Sequence, residues 1–257
     1  MITASGVTSS TVGKPVLSEA DLRRLLAKVD TLQPEQARVL LQGLAEEINE
    51  RCAQDGIFWL RFVKTRDEAD PSSSVKPFPV HLEYTTEIWR ELVTKQRVVI
   101  AKSRQMLISW LIACFCVWWA RYKPNQAIYW QTKKWEDATA AICLPAGGVK
   151  ARCQFIEDNL PAWMRVAYKP IDGQMEYPNG SIIKALAGGA DQIRGKVASI
   201  VVEDEFAFAE DQDGVYTSVA PLIQKGAKAF FISTPNGTDN MFATLYHGRS
   251  VATEQPA

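Results

Sequence analysis

The apolar positions of this chain change period as it proceeds, and the changes divide it. From Leu17 to about Gln54 the spacing is helical. Leu22, Leu25, Leu26 and Val29 share one face, with Ser18 as N-cap and Asp21 three residues on. Pro34 opens a second such stretch through Val39, Leu40, Leu41 and Leu44 to Ile48. Residues 1–16 are Ser/Thr-rich and read as a flexible tail. Residues 66–79 are polar, Pro- and Ser-rich, and read as a loop or linker. The first 75 residues are therefore expected to form a tail, a small helical appendage and a linker, and residues 76–247 the main domain.

In that domain the pattern alternates. A helix from about Tyr84 to Lys95 leads into an apolar strand, Arg97–Ala101. The stretch from Met106 to Ala120 is apolar on every side and reads as a buried core helix, because a bilayer span needs roughly 20 residues. Further strands are expected at Gln126–Gln131, Ser199–Val202 and Ala229–Ser233, with helices at about Trp135 to Leu144, Lys150 to Asn159 and Val215 to Gln224. Tyr177-Pro178-Asn179-Gly180-Ser181 has the chemistry of a hairpin turn. Short, wholly apolar strands alternating with helices indicate an α/β fold, a mainly parallel sheet with helices on both faces.

Composition narrows the function. Lys+Arg and Asp+Glu are both 29, so any nucleic-acid contact has to come from a local patch. Lys133, Lys134, Lys150, Arg152, Lys225 and Lys228 are the candidates for one. The five cysteines form no C-x-x-C pair and there are only two histidines, which argues against a zinc site and suits a reducing compartment. No secretory signal is read at the N-terminus.

Candidate chemistry gathers where strands end. After Ala101 come Lys102, Ser103, Arg104 and Gln105, and then a helix with Ser109 in its first turn. Strand, turn and helix N-terminus make the layout of a phosphate-binding loop. Set against G-x-x-x-x-G-K-[ST] with Ser109 last, Lys102 falls on the first Gly, Leu107 on the second and Ile108 on the Lys. The hydroxyl survives, and Lys102 and Arg104 are left to supply positive charge. The strand Ser199–Val202 runs into Glu203, Asp204 and Glu205, acids expected to meet a cation or solvent. The strand Ala229–Ser233 ends in Ser233-Thr234-Pro235-Asn236-Gly237, a tight turn rich in hydroxyl and amide groups. Arg194, flanked by Gly188, Gly189 and Gly195, stands eleven residues before Glu205.

In this order, phosphate loop, paired acids and Ser-Thr-Pro-Asn-Gly, the motifs resemble those of the ATPase domain of the large terminase subunit, the DNA-packaging motor of tailed bacteriophages. The resemblance covers roughly residues 76–247. Lys102-Ser103-Arg104-Gln105 is similar to the family's variant Walker A, Val202 to Phe208 to its Walker B with trailing aromatics, and Ser233 to Gly237 to its coupling motif. Arg194 takes the place of the proposed trans-acting arginine finger, and Pro77 to Trp89 that of the adenine-binding segment, without the usual Gln.

The resemblance implies an ASCE, RecA-like P-loop NTPase that hydrolyses ATP with Mg²⁺ and drives double-stranded DNA into a procapsid. Lys102, Ser103, Arg104, Gln105 and Ser109 would bind nucleotide, and Ser109 and Asp204 would hold the metal. Glu205 would orient the attacking water, Arg194 would complete a neighbour's site in a homo-oligomeric ring, and Ser233, Thr234 and Asn236 would couple hydrolysis to movement. Portal protein and small terminase are the implied partners, and the host cytoplasm the place. No acid cluster follows Gly237, so no nuclease activity is expected; residues 248–257 read as a tail. The alternatives are a nucleotide-binding docking scaffold with weak or no turnover, and a helicase-like translocase, against which the lack of a recognisable second RecA-like domain argues.

Overall fold

The computed structural model describes residues 33–66, 75–103, 106–143 and 151–248. The helix expected from Ser18, and both tails, lie outside these. The chain divides into two compact units, residues 1–51 and 52–257. In the first, helix α1 (Pro34–Gln54) starts at the expected proline and carries the chain across the boundary.

The second unit opens with α2 (Gly56–Leu60), whose N-terminus is capped by Asp55: its Oδ1 accepts from the backbone N–H of Ile57 and Phe58, each at 3.0 Å. A Cβ on Gly56 would stand 2.2 Å from the Trp89 ring, so only glycine admits that close approach. Strand β1 (Lys64–Thr65) pairs antiparallel with β2 (Lys76–Pro77), so the stretch read as linker contributes a short strand near its end. Next come α3 (Glu83–Thr94), β3 (Arg97–Ala101), α4 (Ile108–Tyr122), β4 (Ala127–Gln131), α5 (Trp135–Ile142) and α6 (Arg152–Asp158). The expected hairpin is built from β6 (Gln174–Glu176) and β7 (Ile182–Leu186), and β5 (Lys169–Ile171) adds an unforeseen edge strand. The short helix α7 (Ala190–Ile193), β8 (Ile200–Asp204), α8 (Gln212–Gln224), β9 (Lys228–Ser233) and α9 (Met241–Tyr246) complete the fold.

The sheet runs β3-β9-β8-β4-β7-β6-β5. Its first five strands are parallel, and β6 and β5 close one edge antiparallel. Residues alternate between its faces. Val201, Ala229 and Phe231 pack with α8 and α9. Phe230 looks the other way, onto Phe115 of α4, with ring centroids 5.5 Å apart.

Helix α4 organises that second face. It is apolar all round because it is enclosed all round, and Leu111 to Val117 are at most 1% exposed. Trp89 meets both Phe115 and Trp118 edge-on. At its C-terminus Asn179, in the hairpin turn, donates to the carbonyls of Ala120 (2.8 Å), Arg121 (3.2 Å) and Lys123 (3.3 Å), supplying donors that a helix end lacks. Arg121, in the last turn, forms a buried ion pair with Glu157 and also donates to the Met164 carbonyl.

Candidate functional site

Because β9 lies between β3 and β8, the turns that follow these three strands meet at one edge of the sheet. The Lys102 N–H donates to the Ser233 carbonyl at 2.9 Å, extending the β3–β9 ladder by one residue. Its ammonium turns inward and meets three oxygens: Ser109 Oγ at 2.9 Å, Asp204 Oδ1 at 3.2 Å and Glu205 Oε1 at 3.1 Å. Ser109 Oγ in turn donates to Asp204 Oδ2 at 3.3 Å. The Lys102 and Asp204 side chains are 11% and 8% exposed and that of Glu205 43%, so the cluster is open on one side only.

The backbone around the cluster is constrained. Leu107 and Glu205 both adopt left-handed conformations, with φ 55° each. That region costs a residue with a Cβ about 1–2 kcal/mol. Leu107 stands where the phosphate-loop pattern has its second glycine, so the chain takes a backbone turn that favours glycine without having one. Helix α4 starts directly after it, with no side chain capping its N-terminus. Its first N–H groups and dipole make that end attractive to an anion. Tyr84 Oη, on α3, donates to the Met106 carbonyl at 3.0 Å, tying the segment expected to meet a base to the phosphate-type turn.

The turn after β9 holds the turn after β8. Ser233 Oγ accepts from the Ala207 N–H at 3.1 Å, Asn236 Nδ2 donates to the Ala207 carbonyl at 3.1 Å, and Thr234 Oγ1 donates to Glu205 Oε2 at 3.4 Å. Gln212 Nε2 also donates to the Ala207 carbonyl, at 3.0 Å. Lys102, Ser109, Asp204, Glu205, Ser233, Thr234 and Asn236 thus form one connected set. Ser103 follows Lys102 and is exposed. Arg104 and Gln105 lie outside the described residues.

Strand β8 extends two residues beyond the expected Val202, so Glu203 and Asp204 belong to it. Their side chains leave by opposite faces. Asp204 meets Lys102, whereas Glu203 is buried on the face of α8, 4% exposed, and its Oε1 has no hydrogen-bond partner among the described residues. Of the three acids expected to meet a cation or solvent, Glu203 does neither: burial pushes its carboxyl up to about 8, which favours the neutral form. Beside it in register is Gln131, also buried, whose Nε2 donates to the carbonyls of Ala187 (2.6 Å) and Gly189 (2.8 Å). Gln131 therefore anchors the segment that carries Arg194. Arg194 itself pairs with Asp191 at 2.9 Å, is 68% exposed, and makes no contact with the Lys102 cluster among the described residues.

The lysines considered for nucleic acid are spread out. Lys133 pairs with Glu210 at 3.1 Å. Lys228 donates to the carbonyls of Val93 and Lys95, both at 2.8 Å, and is engaged in holding α3 to β9. Lys134 and Lys225 are exposed, and Lys150 lies outside the described residues.

Chemically, the cluster suits a divalent cation with hard oxygen ligands. Its donors are the Asp204 and Glu205 carboxylates and the Ser109 hydroxyl, and an ammonium already sits among them, so the position favours positive charge. The sequence reading did not single out Tyr84, Gln131 or Gln212, which act through one or two hydrogen bonds each. The signal available for Gln131 was a polar residue at the end of an otherwise apolar strand.

No protein-family model matches the chain. Among solved structures it is similar to the large terminase of bacteriophage HK97, with a TM-score of 0.51 at 12% identity, over 68% of this chain and 38% of that one. The large terminase of a thermophilic bacteriophage, solved in complex with ADP, gives a TM-score of 0.50 at 13% identity, over 65% and 42%. The large terminase ATPase domain of Thermus phage P74-26 aligns over 58% and 63% at 15% identity, with a TM-score of 0.43. The chain thus has the α/β, RecA-like fold of phage large terminases, and it spans about two fifths of the two longer ones. Among the described residues, no helix is long and apolar enough to cross a membrane.

Proposed function

We propose that this chain is the ATP-hydrolysing motor domain of a large terminase, coupling hydrolysis to the movement of double-stranded DNA into a procapsid. The observation that carries the proposal is the Lys102–Ser109–Asp204–Glu205 cluster at the N-terminus of α4, on a fold shared with large terminases. ATP would lie over the turn between Lys102 and Ser109, its phosphates drawn by the N–H groups of α4 and by Lys102 and Arg104. Ser109 and Asp204 would hold Mg²⁺, which supplies charge neutralisation at the phosphates when bound. Glu205, open to solvent on one side and steadied by the Thr234 hydroxyl, would orient the attacking water. Arg194, exposed on its anchored segment, would reach the site of a neighbouring copy in a ring. Ser233, Thr234 and Asn236, bonded to the turn after β8, would carry the change at Glu205 to the DNA-moving surface. Portal protein and small terminase complete the proposed assembly, in the host cytoplasm.

DNA-stimulated ATP hydrolysis by the wild type and by Glu205→Ala tests the proposal. Turnover lost in a variant with unchanged circular dichroism is the expected result, and unchanged turnover refutes it. The inward-turned Lys102 also supports a second reading, a docking scaffold that binds nucleotide weakly or not at all. ATP affinity separates the two: no binding by the wild type, and no change in Lys102→Ala or Arg104→Ala, would favour the scaffold.

A further inference from the structure

Lys102 makes a contact set that gripping a phosphate does not require. Its ammonium is turned away from the open side of the site and onto Ser109 Oγ, Asp204 Oδ1 and Glu205 Oε1, at 2.9, 3.2 and 3.1 Å. The first two are the oxygens to which the proposed function gives a divalent cation, and the third belongs to the residue that would orient the attacking water beside it. We propose that Lys102 is an internal cation that fills the divalent position of the nucleotide-free chain, and that nucleotide phosphates draw it off, so that metal enters only with nucleotide. The inference rests on the proposed function for the identity of the nucleotide; the contacts stand without it.

Three physical arguments support the exchange. Asp204 is 8% exposed, and a carboxylate so placed is costly without a partner, so some cation has to stand there before nucleotide arrives. A divalent ion and the ammonium cannot share these oxygens, because like charges a few ångströms apart in a half-buried cluster repel strongly. The lysine can leave without moving the backbone. Its N–H stays bonded to the Ser233 carbonyl while its four-carbon stem swings, and its three donors rotate freely onto phosphate oxygens. The incoming phosphates thus offer Lys102 a new partner at the moment they bring the ion that replaces it.

Manganese binding to the nucleotide-free protein, read by loss of the free-ion electron paramagnetic resonance signal, tests this without any turnover. The wild type should leave Mn²⁺ free at concentrations where Lys102→Met binds one ion, a gain in affinity of at least about tenfold. Adding Asp204→Asn to Lys102→Met should abolish the gain. Lys102→Gln, which keeps a donor but no charge, should show the same gain and guards against loss of fold in the methionine variant. Mn²⁺ bound by the wild type as tightly as by both variants, or by none of them, overturns the exchange. Binding of a non-hydrolysable ATP analogue to the wild type, with and without Mn²⁺, distinguishes the two claims. If the analogue binds with Mn²⁺ but the Lys102 variants gain no metal, the exchange fails and the proposed function stands. If the wild type never binds the analogue while the variants gain an Asp204-dependent ion, the function fails and the exchange stands.

Discussion

Helix α4 has an ion pair at each end, and the two are built differently. At its C-terminus Arg121 and Glu157 are 2% and 1% exposed, and of their polar groups the Arg121 Nε is left without a hydrogen-bond partner among the described residues. Glu157 also accepts from the Val166 N–H at 3.1 Å and the Tyr177 hydroxyl at 3.4 Å, while Arg121 donates to the Met164 carbonyl. At its N-terminus Lys102 meets Asp204 and Glu205 in a cluster open on one side, with Glu205 43% exposed. A planar guanidinium with fixed donors suits a joint that never opens, and a compact ammonium on a flexible stem suits one that does. The helix is thus fixed at one end and adjustable at the other, and the adjustable end is where nucleotide would bind.

The comparison can be broken by experiment. The largest effect expected is on chemistry at the adjustable end: Glu205→Ala should lower ATP turnover by about 10²–10⁴-fold, measured with DNA present, while the urea midpoint stays put. Next, Glu157→Ala should destabilise the fold by roughly 3–5 kcal/mol in urea unfolding, because it leaves the buried Arg121 charge uncompensated. Lys102→Met should cost less, about 1–3 kcal/mol without metal, since Asp204 keeps the Ser109 hydroxyl and the Glu205 N–H. If Lys102→Met proves as damaging as Glu157→Ala, the contrast between the two ends fails. Smaller still, Leu107→Gly should be more stable than Leu107→Ala by about 1 kcal/mol, because both lose the leucine side chain and only glycine relieves the left-handed backbone.

The subtlest effect concerns Glu203. Burial raises its carboxyl to about 8, from the ordinary 4.5 of a free glutamate. Between those values the unfolded chain releases a proton that the folded chain keeps, so stability falls as pH rises from the lower value through the upper and is level above it. Glu203→Gln should flatten that decline in thermal melts of the nucleotide-free protein between pH 5 and about pH 9. An unchanged pH profile in the variant would show that Glu203 is ionised in the native chain.

Much of this arrangement was legible in the residues. Arg97–Ala101 is the observed strand to the residue, and Ser109 lies in the first turn of α4, because a wholly apolar run followed by a polar turn has few other ways to fold. The acids, hydroxyls and lysine that meet at Lys102 were all named from their places at strand ends, since β3, β9 and β8 are neighbours. What escaped was set by tertiary contact. The αL backbone of Leu107 could not be read from a leucine, which resists that conformation. The separation of Glu203 from Asp204 was hidden because β8 continued past its apolar residues, and alternation then sent one acid into the core. The inward turn of Lys102 depends on Asp204, 102 residues away in the chain.

Strand β9 also sets a length scale. It lies between β3, which ends just before Lys102, and β8, which ends in Asp204, so the two backbones stand two ladder spacings apart, about 9–10 Å. The sheet therefore acts as a ruler, and only a long side chain on one bank can reach a short one on the other. A lysine facing an aspartate meets that measure, whereas a stem one methylene shorter on the lysine side would leave a gap for a water or an ion to fill.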